Sequence, residues 1–139
     1  MRTNQRMRQY FSHLQTKDSV LSPELSRVLV AGFVEKEGCV LLASKAPDSV
    51  ATPAAAKDET GYECFINHLH VKNLGEALEF AQRLKKALAE RFEVAFVVIV
   101  SFSGCEATVR FHKLRAGQAW LNENLEGYLE EGIAVLDSD

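Results

Sequence analysis

The sequence predicts an α+β domain with a mixed, mainly antiparallel sheet, and three observations carry that expectation. A capped amphipathic helix runs from about Asn73 to Arg91. It is followed by a β-branched run, Val94 to Val100, that is apolar on both alternating faces as a central strand would be. The remaining strand-like segments come in runs separated by this one long crossover helix, as in an α+β domain. The expected order is α-β-β-β-α-β-β-α with a possible short last strand.

The long helix is the clearest element. Leu74, Ala77, Leu78, Ala81, Leu84, Leu88 and Phe92 recur at spacings of three and four, which makes one buried stripe. Asn73 is placed as N-cap with Glu76 three residues on, as in a capping box. Glu76 and Glu79 stand at the positive end of the helix dipole, and Lys85, Lys86 and Arg91 at the negative end. After Val100, Ser103-Gly104 marks a tight reversal. Glu106 to Leu114 then alternates Ala107, Val109 and Phe111 against Thr108, Arg110 and His112, so one face is core and the other polar.

Ahead of the long helix, Met7, Phe11 and Leu14 suggest an amphipathic helix over about Asn4 to Gln15. Ser22-Pro23-Glu24 has the form of a cap on one further helical turn. Arg27 to Glu35 and Cys39 to Ser44 read as a hairpin turning at Glu35-Lys36-Glu37-Gly38, where Gly38 can take a positive φ. The stretch from Ala46 to Gly61, rich in Ala, Pro, Asp, Ser and Thr, reads as a long flexible loop, either merely mobile or a lid or contact loop. Tyr62 to Val71 reads as strand.

Past Leu114, Leu121, Leu125, Tyr128 and Leu129 predict a last helix that Gly127 interrupts, with Gly132 as its stop. Ile133 to Leu136 is either a short strand or more helix. Several strands are apolar on both faces, so one helix cannot cover the sheet. The terminal helices are expected on the second face, with a homodimer as the alternative cover.

At 139 residues the chain has the size of one domain, 1–139. Its net charge of −3 argues against a general affinity for nucleic acid backbones. No apolar run is long enough for a membrane span. Three cysteines, an odd number without CxxC spacing, predict reduced thiols and a cytoplasmic protein.

Three constellations are candidates for function. His68 and His70, with Cys64 on the same face of an extended strand and His112 on another strand, offer ligands for a divalent metal such as Zn and hence hydrolytic chemistry. The bland alternative is imidazoles paired with their neighbours, and no HExxH is present. Glu123, Glu126, Glu130, Glu131, Asp137 and Asp139 form an acidic C-terminal stretch without a basic residue. Such a stretch suits a basic protein partner, by analogy of role with immunity proteins and inhibitors, or is simply a solvated face. Arg110, Arg115 and Trp120 are suited to grip a carboxylate, a phosphate or a peptide end, unless Trp120 plugs the last helix onto the core. No phosphate loop or nucleophile elbow is found. The leading expectation is therefore a non-enzymatic cytoplasmic domain that binds another protein and carries no cofactor. A metal-dependent enzyme or small-molecule binder using His68, His70 and His112 is the rival.

Overall fold

The computed structural model describes residues 1–15, 20–46 and 58–137. In chain order these form β1 (Arg2–Thr3), α1 (Gln5–Phe11), α2 (Pro23–Ala31), β2 (Phe33–Lys36), β3 (Cys39–Leu42), α3 (Glu59–Ile66), β4 (Leu69–Val71), α4 (Leu74–Arg91), β5 (Phe96–Phe102), β6 (Ala107–Lys113), a 3-10 turn at Leu125–Gly127, and β7 (Gly132–Asp137). Five strands make an antiparallel sheet in the order β1-β7-β5-β6-β4, and β2 pairs with β3 in a separate hairpin. The fold is thus α+β as expected, with β5 at its centre.

Local chemistry explains where most elements begin and end. Asn73 caps α4 by accepting the Glu76 amide at 2.8 Å. The Glu76 carboxylate does not close a capping box, however: it accepts the Ser22 amide at the start of α2. The hairpin turns through Glu37 and Gly38, both at positive φ (51° and 81°), the conformation that a two-residue turn between right-twisted strands requires.

Three expectations are corrected. The strand expected over Arg27 to Glu35 is helical through Ala31. Ser22 accepts the Leu25 amide, Pro23 opens the first turn, and Gly32 at φ 75° stops the helix, so these end signals override the β-branched run. The strand expected over Tyr62 to Val71 is helix to Ile66 and strand only from Leu69. Asp58 caps it by accepting the Gly61 amide at 2.7 Å, and a helix buried on two sides imitates an alternating strand. The expected loop over 46–61 therefore ends before Glu59, and residues 47–57 lie outside the described residues. The last helix is reduced to the 3-10 turn, because Asn4 takes over the backbone of that segment: its amide donates to the Leu125 and Glu131 carbonyls at 3.2 and 2.9 Å.

The two faces of the sheet are covered differently. Phe96, Val98, Val100, Val109, Phe111, Ala134 and Leu136 point to one side, where they pack with Met7 of α1, Leu25 of α2, the α4 stripe, and Phe33, Val40 and Leu42 of the hairpin. Of the two terminal helices expected on the second face, α1 therefore lies on the first, and only the C-terminal segment, as an irregular stretch, covers the second. On the second face, Val97, Ile99, Ile133 and Val135 pack with Leu121, Leu125 and Tyr128 of the segment after β6. Gly132 has a steric task, since a Cβ there would come within 3.0 Å of the Met7 backbone and the Tyr10 ring.

Candidate binding site

The second face is positioned by Glu63 of α3 and by Asn67, the C-cap of that helix. Along its outer edge, β6 is paired by β4 only from Ala107 to Val109. Beyond that point Glu63 and Asn67, four residues apart on one side of the helix run, stand in for a strand. Glu63 accepts the Val40 amide of β3 at 2.7 Å and the Lys113 amide of β6 at 2.9 Å. Asn67 accepts from the Leu42 amide at 2.8 Å and donates to the Val40 carbonyl at 2.9 Å and the Phe111 carbonyl at 3.5 Å. The hairpin and the sheet are thereby joined through side chains, which satisfy backbone groups of Val40, Leu42, Phe111 and Lys113 at the seam. Arg115 completes the seam at 2.6 Å from the fully buried Glu63 carboxylate and also reaches the Thr60 hydroxyl.

With α3 so held, the polar side of β6 and β4 forms one surface. His70 lies opposite Thr108, and Leu69 opposite Val109; continuing that register by one residue brings His68 opposite Arg110. The His68 and His70 rings meet edge to face at 5.3 Å, and Phe65 of α3 stands 6.2 Å from His68 with 62% of its surface exposed. The Arg110 guanidinium lies 4.8 Å over the Trp120 ring. His70 binds the Glu106 carboxylate at 2.8 Å. An aromatic and cationic strip results: Phe65, His68, His70, Arg110 and Trp120.

Further along β6, His112 is almost wholly buried. Its Nδ1 lies 2.6 Å from the Lys113 carbonyl, so Nδ1 carries the proton and Nε2 a lone pair. Burial holds its pKa below the ordinary imidazole value. Burial also pushes the Cys64 thiol up to about 12 and raises that of Cys39, so neither is a thiolate at neutral pH.

The expected constellations are therefore partly dissolved. His68 and His70 are together, but His112 stands four residues along β6 from Thr108, the partner of His70, about 13 Å at the rise of a strand, and two residues, about 7 Å, from the Arg110 position opposite His68. Cys64 is buried within α3, not on a strand with the histidines. Among the described residues no three His, Cys, Asp or Glu side chains come together as a metal site. Arg110 stacks on Trp120, whereas Arg115 is turned into the seam. Trp120 plugs no helix and is 42% exposed. The acidic stretch is met by the cationic N-terminus: Asp137 pairs with Arg2 at 3.0 Å, Glu126 pairs with Arg8 and accepts the Gln5 amide, and Glu123 and Glu130 stay exposed.

Glu63, Asn67 and Asn4 were not singled out in the sequence. Glu63 inside the otherwise apolar run Tyr62 to Ile66 and Asn67 just beyond it, four apart as neighbours on one helix face, are the available signal, which a strand over Tyr62 to Val71 hides.

These features define a small α+β domain whose sheet keeps one apolar face under three helices and one chemically mixed face under α3 and an irregular segment. Among the described residues no helix is long and apolar enough to cross a membrane. The chain belongs to the Uncharacterized protein PM0498 family, which it matches over residues 2–139. No curated protein and no solved structure matches it.

Proposed function

We propose that this protein is a non-enzymatic, cytoplasmic protein-binding domain that holds its partner against Phe65, His68, His70, Arg110 and Trp120. The observation that carries this reading is Phe65, a large apolar ring left 62% exposed on a helix beside His68, whose ring meets that of His70, with the Arg110–Trp120 stack on the same face of the sheet. Aromatic and Arg side chains are the types that anchor interfaces, and a preformed stack loses little conformational entropy on binding. The partner surface that fits is an apolar anchor beside a carboxylate, since Arg110 supplies the cation. The free thiols of Cys39, Cys64 and Cys105 are in keeping with a reducing compartment.

A basic partner bound to the acidic stretch has less support, because Arg2 and Arg8 already neutralise Asp137 and Glu126. That version rests on the exposed Glu123, Glu130 and Glu131. A metal-dependent enzyme has less still, since among the described residues no three His, Cys, Asp or Glu side chains come together as a metal site.

The test is site-specific photo-crosslinking in cells, with a benzophenone side chain at position 65 and, as control, at the 88% exposed Val30. A discrete adduct at 65 but not at 30, lost on Arg110→Glu and kept on Glu123→Lys with Glu130→Lys, is the expected result. Equal adducts at both positions overturn it, and loss only with the two glutamate changes transfers the contact to the acidic stretch. An adduct of twice the chain mass identifies the partner as a second copy.

A further inference from the structure

The second face also holds a cleft of about 220 Å³ between β5, β7 and the segment after β6. Its floor is Val97, Ile99 and Val135, and Leu121 and Leu125 line it from the irregular segment. Of its polar lining residues, which include Gln118 and Asn122, His112 alone is buried, with 3% exposure. Among the described residues Nε2 of His112 has no hydrogen-bond partner, while Nδ1 is committed to the Lys113 carbonyl. No fully buried side-chain nitrogen or oxygen is left without a partner among the described residues, so Nε2 retains access to the open space beside it, and that space is this cleft.

The geometry points to a binding site for a small, neutral, single-ring molecule with one hydroxyl or N–H group, of the phenol class, donating to Nε2 of His112. The volume sets the size. It is several times the roughly 30 Å³ share of a water molecule, yet below the roughly 300 Å³ at which pockets for drug-sized ligands begin. The lining sets the polarity, because methyl groups on three strand positions favour a ring over a hydrated chain. Charge at the rim sets the sign. Glu123 and Asp137 line the mouth, and Arg2 is already paired with Asp137, so a carboxylate-bearing ring meets net repulsion. A plain hydrocarbon seated in the cleft shuts Nε2 off from water and leaves it unpaired, which gives a donor-bearing ring its advantage. Docking of a protein on Phe65 and His68 requires none of these groups except Trp120, so the two proposals fail separately.

Trp120 is the single tryptophan of the chain and lines the cleft, which makes its fluorescence a direct probe. With the full-length protein at pH 7.5, p-cresol is expected to change that fluorescence saturably, toluene to bind about tenfold more weakly, the difference of one hydrogen bond, and benzoate to have no saturable effect. His112→Phe is expected to bind p-cresol and toluene equally. Equal affinities in the native protein, or a change that never saturates, overturn the proposal. Should His112→Phe not fold, the ¹⁵N resonance of His112 Nε2 in the native protein decides: an upfield shift on adding p-cresol supports the site, and an unmoved resonance overturns it.

Discussion

The Glu63 carboxylate is fully buried, lies 2.6 Å from the Arg115 guanidinium, and shares its two oxygens between the amides of Val40 and Lys113. One side chain thus ties a hairpin, a helix and a five-stranded sheet. Arg115→Met leaves this charge buried without its cation, and a loss of about 3–5 kcal/mol is expected in urea denaturation at pH 7. A loss below about 1 kcal/mol, the size of an exposed pair, would mean that the seam is wetter than this geometry.

Asn4 is the second tie. Its side-chain oxygen accepts the Met7 and Ile133 amides at 2.9 Å each, and its amide holds the Leu125 and Glu131 carbonyls. Asn4→Ala removes a helix cap and leaves buried groups unpaired, whereas Asn73→Ala removes a cap alone. Losses of about 2–4 kcal/mol and about 1 kcal/mol are expected for the two, read from the same thermal unfolding series.

His112 predicts a pH dependence. Its folded-state pKa is depressed, so over the interval beneath the ordinary imidazole value of about 6.5 the unfolded chain binds the extra proton. Stability is therefore full above that value, falls as the pH drops through it, and levels off below the folded-state value. The slope from this group approaches at most about 1.4 kcal/mol per pH unit. His112→Gln should flatten the profile between pH 7 and 5, which chemical denaturation across that range measures.

Thiol chemistry should separate the cysteines. Cys105 is exposed, while Cys39 and Cys64 are buried and held protonated. An aromatic disulfide reagent should titrate one thiol rapidly in the native protein and all three of the chain in denaturant. Two fast thiols would indicate that α3 opens readily from β3.

By itself the sequence determined what local chemistry decides. The α4 stripe with its Asn73 cap, the two-faced apolar run of β5, the alternation of β6 and the Glu37-Gly38 turn follow from periodicities and caps that act within a few residues, and each is present in the fold. Tertiary structure decided what depends on distant partners. Tyr62 to Ile66 is equally apolar as strand or helix, and beside the Asp58 cap it is the backbone groups of Val40, Leu42, Phe111 and Lys113, bound by Glu63 and Asn67, that favour the helix. Leu121 to Leu129 has a helical stripe but loses its helix because Asn4, more than a hundred residues away, binds its carbonyls more favourably than further helical turns across Gly127 would. The separation of His112 from His68 and His70, and the pairing of Arg2 and Arg8 with Asp137 and Glu126, are matters of strand order and chain crossing. Local spacing carries no information about either.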